Sequence, residues 1–122
     1  MLRNPILMPP RLPSLVTALF ATLVPALSAP VINEFLTNNT GGLADADGNH
    51  PDWIEIYNPE ATAVNLEGYT LTDDPEQPAL WTFPSVSLAP KAFLLVFASE
   101  KDRLGNELHT NFRLGGTGYL AL

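Results

Sequence analysis

The chain has 122 residues, which is enough for one domain, and its formal net charge is −7. An acidic surface repels phosphate groups, so sequence-independent binding to nucleic acid is not expected. The absence of cysteine excludes disulfides, thiolate zinc sites and cysteine nucleophiles. Stability must therefore come from a hydrophobic core, or from a bound ion or partner.

The N-terminal segment has the pattern of a secretory signal peptide. Its only charged residues are Arg3 and Arg11, and residues 14–27 form an uncharged, mostly apolar run of 14 residues. That length suits the apolar region of a signal peptide, whereas a membrane span needs roughly 20 apolar residues. The small residues that follow favour cleavage after Ser28, with cleavage after Ala29 as the second choice.

Cleavage there divides the chain into a signal peptide (residues 1–28) and a mature domain (residues 29–122). We therefore expect a secreted or extracytoplasmic protein that meets the membrane only during export. Removing the two arginines with the signal peptide changes the net charge from −7 to −9. The alternative is an uncleaved membrane anchor, which the shortness of the apolar run disfavours.

Two strands are predicted at the start of the mature domain, at residues 31–36 and 52–57. Both have alternating side chains, and residues 38–51 between them are rich in Gly, Asn and Asp, which indicates a loop. One face of the first strand is predicted to hold Ile32, Glu34 and Leu36. One face of the second is predicted to hold Ile54 and Ile56, with Trp53, Glu55 and Tyr57 opposite.

Shorter strands follow at spacings of about 8–12 residues, separated by Pro, Gly, Asn and Asp, which is typical of a β-sandwich. They are predicted at residues 64–66, 69–72, 81–83, 86–88, 111–114 and 119–122. The continuously apolar run at residues 93–98 predicts a central strand covered on both faces, and residues 100–107 are predicted to be a charged loop. Six aromatic residues on or beside strands are predicted to be core: Trp53, Trp81, Phe83, Phe93, Phe97 and Phe112.

Five strings of this sequence, in order, resemble the lamin-tail domain family, and most closely its bacterial secreted branch. They are GLADADGNHPDWIEIYNP (42–59), VNLEGYTLTDDP (64–75), WTFP (81–84), FLLVFAS (93–99) and HTNFRL (109–114). The resemblance implies an immunoglobulin-like β-sandwich. It also implies a non-catalytic domain that mediates binding or attachment. Similar bacterial domains occur in exported proteins, beside nucleases, hydrolases or spore-coat-kinase-like domains.

The sequence departs from the family pattern at its C-terminal end. Relatives continue beyond the strand that matches residues 119–122, usually with further strands. We therefore expect the chain to be truncated there and the sandwich to be incomplete. Completion would come from further domains of a longer parent chain or from self-association.

Four oxygen-bearing residues lie close together in the first loop: Asp45, Asp47, Asn49 and Asp52. Such a cluster is a candidate weak Ca²⁺ site, although the spacing does not fit an EF-hand loop because His50 stands where that loop needs Gly. The alternative is that these side chains cap turns of their own backbone. No other cofactor is expected.

No catalytic residues are predicted. Ser99 and His109 lack the glycines of a nucleophile elbow, and the sequence identifies no acidic partner for them. The segment His109-Thr110-Asn111 is interpreted as a polar bracket that holds a loop.

The leading hypothesis is a non-catalytic extracytoplasmic module that binds or scaffolds an unknown protein or a cell-surface or matrix component. One alternative is an accessory or N-terminal domain of a larger secreted enzyme, such as a nuclease, a hydrolase or a spore-coat-kinase-like protein. The other alternative is a Ca²⁺-dependent adhesion module.

Overall fold

The computed structural model describes residues 29–115 and 118–122, and these residues form an all-β sandwich. No helix within them is long and apolar enough to cross a membrane. The predicted signal peptide lies outside the described residues. The strands are β1 (Val31–Leu36), β2 (Asp52–Tyr57), β3 (Val64–Asn65), β4 (Thr70–Leu71), β5 (Trp81–Thr82), β6 (Ser87–Leu88), β7 (Phe93–Ala98), β8 (Arg103–Leu104) and β9 (Leu108–His109).

One layer is a five-stranded sheet with the order β1-β2-β7-β9-β8. Its pairs are antiparallel except for β7 and β9, which run parallel. The other layer contains the antiparallel pairs β3–β6 and β4–β5. The three longest strands, β1, β2 and β7, lie side by side, so they form the rigid part of the larger sheet.

The core fills the space between the layers. Ile54 and Ile56 of β2 project from the larger sheet, and Leu71 of β4 comes from the opposite layer; all three are fully buried. Burying an aliphatic side chain of this kind contributes about 1.5–3 kcal/mol. The whole cluster comprises Ile54, Ile56, Leu66, Leu71, Trp81, Phe83, Leu88, Val96, Ala98, Leu108 and Phe112.

Asn58 joins the two layers at the end of β2. Its fully buried side-chain amide donates to the backbone carbonyls of Thr62, Leu88 and Ala89 at 2.8–3.1 Å. Its carbonyl oxygen accepts the Glu60 amide N–H at 3.0 Å. A side chain satisfied on both its donor and its acceptor side can be buried without the usual penalty for a polar group.

A β-bulge at Asn33 corrects the faces predicted for β1. Ile32 pairs with Ile56 before the bulge and Glu34 pairs with Glu55 after it, so one extra residue is inserted between them. This insertion reverses the alternation for the rest of the strand. Consequently Ile32 is on the core side, but Glu34 and Leu36 are on the opposite face. The prediction that all three share a face is wrong.

The surface of the larger sheet that points away from the core is called the outer face here. Its members follow from the register of β1, β2 and β7: Val31, Glu34, Leu36, Trp53, Glu55, Tyr57, Phe93, Leu95 and Phe97. Side chains directly opposite each other on paired strands lie on the same face. The Tyr57 and Phe93 rings stack on this face with their centroids 4.6 Å apart.

Strand β7 is covered on both faces only in its second half, which corrects the prediction of a doubly covered strand. Phe97 is 3% exposed although it points away from the core, whereas Phe93 on the same face is 54% exposed. Trp53 is half-buried on this face and does not belong to the core cluster. The core prediction is confirmed for Trp81, Phe83 and Phe112, but it is wrong for Phe93.

The C-terminal third differs from the prediction in its strand bounds. Strand β8 lies within residues 100–107, the predicted charged loop, and β9 begins directly after them. In place of predicted strands, residues 111–114 and 119–122 contribute single bridges, Arg113 with Ser99 and Ala121 with Thr72.

Phe97 and Phe93 provide a matched pair for testing which part of the outer face is covered. We expect Phe97→Ala to lower the free energy of unfolding by about 3–5 kcal/mol, as for large buried aromatics. Phe93→Ala should cost about 1 kcal/mol, because mainly its stacking on Tyr57 is lost. Urea denaturation of residues 29–122 measures the free energy of unfolding of both variants. Equal losses would contradict the conclusion that Phe97 is covered and Phe93 is not.

Candidate functional site

The three carboxylates among the candidate Ca²⁺ ligands, Asp45, Asp47 and Asp52, do not form a group of potential metal ligands in the described residues. Asp45 Oδ1 accepts the backbone N–H groups of Asp47 at 3.0 Å and Asn49 at 2.9 Å, which is a turn cap. Asp52 Oδ1 accepts the Asn39 N–H at 3.1 Å, on the other side of the loop. Within residues 29–115 and 118–122, no three His, Asp or Glu side chains are grouped as a metal ion would need.

Two cations from the other end of the chain neutralise the acidic loop. Lys101 Nζ contacts the carboxylates of Asp45 and Asp47, the latter at 2.7 Å, and Arg103 Nη2 contacts Asp47 at 2.8 Å. These four residues, Asp45, Asp47, Lys101 and Arg103, are called the loop clamp here. Because the partners are more than fifty residues apart in sequence, the clamp fixes the β1–β2 loop against β8.

The charges of the loop clamp stabilise one another. Burial raises the pKa of the Asp45 carboxyl, but the hydrogen bonds from Lys101 and from the Asn49 and Asp47 amides outweigh it, so the pKa lies below its ordinary value. Hydrogen bonds from Arg103 and then Lys101 lower the pKa of Asp47 to about 2. The same contacts raise the pKa of Lys101 and of Arg103.

A buried chain of hydrogen bonds lies beside the clamp. Ser99 Oγ is 2.8 Å from His109 Nδ1, and His109 Nε2 is 2.9 Å from Glu107 Oε2. Glu107 also accepts the Ala46 N–H at 3.0 Å, which ties the chain to the β1–β2 loop. That backbone hydrogen bond, more than the contact with His109, keeps the pKa of Glu107 below its ordinary value against the opposing effect of burial.

The Ser99–His109–Glu107 chain has the residue types of a hydrolytic triad but not the geometry for one. The serine binds Nδ1 and the carboxylate binds Nε2, the reverse of the arrangement in Ser-His-Asp enzymes. His109 is fully buried, and Ser99 Oγ already accepts the Lys101 N–H. These hydrogen bonds therefore form a structural link between two loops. The E-x-H spacing of Glu107, directly before β9, and His109, within it, could have indicated this link.

The polar bracket predicted at residues 109–111 is confirmed. Thr110 Oγ1 donates to the Phe112 carbonyl at 2.6 Å, and Asn111 Nδ2 donates to the Leu80 carbonyl at 2.8 Å. Together these bonds hold the segment after β9 against the neighbouring loops.

An open polar cleft of about 550 Å³ lies between the β1–β2 loop and the end of β7. Asn38, Asn49, His50 and Arg113 are among its lining residues. Asn38 has a left-handed backbone conformation (φ 64°), which Asn adopts more easily than most residues. Arg113 is paired with Glu100 at 2.9 Å, so its charge is already compensated.

The outer face differs from the clamp and the cleft because large apolar side chains on it are open to solvent. Val31 is 44% exposed and Leu36 is 37% exposed, in addition to Phe93. At the other end of this face, Phe97 stacks on the buried His109 with ring centroids 5.3 Å apart. The outer face therefore has an open end around Val31 and Phe93, and at its other end a covered Phe97 in the same row as the more exposed Leu36.

Comparison with known protein families adds to this geometry. The family model described as Lamin Tail Domain matches residues 24–119, which is most of the sequence. The chain belongs to the lamin tail domain family. Comparisons with curated proteins and with solved structures returned no match. The resemblance read from the five sequence strings is thus confirmed at the level of the family, and the all-β sandwich is the fold that such a domain has.

Membership identifies this lamin tail domain as one of a family of non-catalytic, immunoglobulin-like domains. The matched range includes residues 24–28, which cleavage after Ser28 would remove from the mature protein. Sequence reasoning found the acidic loop of this lamin tail domain but missed its partners Lys101 and Arg103. The missed signal is a pair of cations two residues apart, Lys101 and Arg103, in a chain with only 6 Lys and Arg against 13 Asp and Glu.

The clamp predicts a pH dependence of stability. The folded-state pKa of Asp45 and of Asp47 lies below the unfolded value of about 3.9, so their stabilisation is present above that value and is lost progressively as the pH falls below it. We expect Asp45→Asn to be less stable than the unsubstituted domain at pH 7, with a difference that shrinks as the pH falls below about 3.9. Urea denaturation at several pH values measures this, and a constant difference across the range would contradict it.

Calcium binding by the acidic loop stays a prediction, with an affinity on the order of 10⁻⁴ M or poorer. Calcium would have to displace Lys101 from Asp45 and Asp47, so Lys101→Met should bind it roughly tenfold more tightly than the unsubstituted domain. Asp47→Asn is the matched control and should bind it less. Calorimetry that detects no heat in any of the three proteins at about 10 mM Ca²⁺ would remove the prediction.

Proposed function

We propose that this lamin tail domain is an exported, non-catalytic binding module of the bacterial secreted type, which attaches to a protein or another cell-surface or matrix component. Its contact surface is the open end of the outer face. The observation that carries this proposal is the exposure of Val31 and Phe93, which flank Tyr57 at one end of the long paired strands of the larger sheet. Contiguous exposed apolar residues on a soluble domain are typical of interaction surfaces.

The rigidity of the surface supports the same function. The open end belongs to strands whose opposite faces carry fully buried core residues such as Ile56 and Val96. The exposed side chains are therefore held in place before a partner arrives, which reduces the entropy lost on binding. The stacked Tyr57 and Phe93 rings add an aromatic contact of the kind enriched at interfaces.

The test is expression of the full chain in a bacterial host, followed by cell fractionation and mass spectrometry. We expect a mature form that starts at Ala29, lies outside the cytoplasm and remains attached to the cell surface or matrix. A Val31→Ser/Phe93→Ser double variant should be released into the medium. Leu104→Ser is the matched control, since Leu104 is a similarly exposed apolar residue on β8, away from the open end.

Two results would overturn the proposal. An unprocessed chain that begins at Met1 and stays in the membrane fraction would remove the export step. The second result is equal release of all three proteins: the double variant, the control and the unsubstituted protein. It would show that the open end does not hold the domain in place.

A further inference from the structure

The outer face is organised in three rows that run across β1, β2 and β7. The register sets Val31 beside Tyr57 and Phe93 in the first row, and Leu36 beside Trp53 and Phe97 in the third. The middle row is Glu34, Glu55 and Leu95. Two apolar rows thus flank a row whose first two members are carboxylates.

The Asn33 bulge produces the pair of carboxylates in the middle row. It brings Glu34 opposite Glu55, where two like charges repel each other. The Asn33 amide donates to Glu55 Oε1 at 2.7 Å, which compensates one carboxylate without supplying a positive charge. Within residues 29–115 and 118–122, the ion pairs of lysine and arginine involve other acids, so no cation of the described chain neutralises this row.

From this arrangement we propose that the outer face binds an extended segment of a basic partner protein, in which alternate residues are apolar, basic and apolar. The proposal rests on the proposed function and specifies its partner. The central Arg or Lys contacts Glu34 and Glu55. One apolar neighbour lies on the open first row, and the other lies on Leu36, the exposed member of the third row. The side chain of a basic residue can cover the apolar surface around the carboxylates with its methylene groups.

The spacing of the rows supports an extended partner. Rows on a sheet are two residues apart, which is roughly 6.6–6.8 Å, and alternate side chains of a strand have the same separation. A strand lying nearly parallel to β2 therefore presents its three side chains at the intervals of Tyr57, Glu55 and Trp53. Stacked sheets pack in this aligned manner.

Charge and the β1 bulge disfavour three other occupants: a second copy of the chain, a phosphate-bearing surface and a strand added to the β1 edge. A second copy facing this surface would oppose Glu34 and Glu55 with the same two carboxylates, and like charges across an interface oppose association. Phosphate-bearing surfaces are repelled for the same reason. Addition of a strand to the β1 edge is disfavoured because a bulge and a charged residue there disrupt regular pairing.

The test uses a synthetic β-hairpin peptide whose exposed face presents Leu, Arg and Phe at alternate positions. Binding to residues 29–122 is followed by the NMR shifts of backbone amides. We expect the shifts to be confined to outer-face positions. A hairpin with Glu in place of Arg should bind at least tenfold more weakly. Because exposed charges are screened by salt, the preference for Arg should shrink between about 20 mM and about 500 mM NaCl.

Protein variants separate this inference from the proposed function. A Glu34→Gln/Glu55→Gln variant should lose the preference for Arg over Glu, while Glu76→Gln, which changes an exposed acid elsewhere, keeps it. Melting curves check folding, and relief of the repulsion should leave the double variant at least as stable. If all hairpins change the NMR shifts of the outer face equally, the preference for a basic partner is wrong but the outer face is still a binding surface. If no hairpin changes them, both the basic partner and the binding surface are wrong.

Discussion

The six-residue register between β2 and β7 is the constraint on which the other features depend. Each residue of Asp52–Tyr57 has a partner in Phe93–Ala98, without a slip. Because side chains alternate along both strands, this register simultaneously aligns Ile54 with Val96 in the core and Trp53 with Phe97 outside it. A shift by one residue would exchange the two faces, so the core that stabilises the fold also fixes the composition of the outer face.

The bulge at Asn33 and the stacking of His109 on Phe97 then make the two ends of the outer face different. The bulge places Glu34 and Leu36 on the outer face. Without it, Asn33 and Phe35 would lie there instead. At the far end, His109 stacks on Phe97, and Glu107, which contacts His109, is tied to the β1–β2 loop by the Ala46 hydrogen bond. Phe97 at this end is therefore covered, whereas Phe93 at the other end is exposed.

Local sequence pattern predicted the strands whose own residues alternate or form a continuous apolar run. The alternation in Val31–Leu36 and Asp52–Tyr57 and the apolar run of Phe93–Ala98 determined three strands with the bounds that the structure has. The bulge could not be predicted, because it depends on the partner strand and leaves the composition of β1 unchanged. The burial of Phe97 could not be predicted either, because its stacking partner His109 lies on β9, a strand that the sequence pattern did not indicate.

The acidic loop is interpreted differently from the sequence and from the fold, because the fold shows the partners of its side chains. Counted in the sequence, Asp45, Asp47, Asn49 and Asp52 are a dense set of oxygen ligands. In the fold, Asp45 is a buried turn cap whose charge Lys101 balances, so its carboxylate already has a cation. Glu34 and Glu55 are the opposite case: they are unremarkable in the sequence, but the register brings them together without a cation. On the outer face two neighbouring acids thus lie between apolar rows without an ion pair among the described residues, whereas Asp45 and Asp47 of the acidic loop are paired with cations.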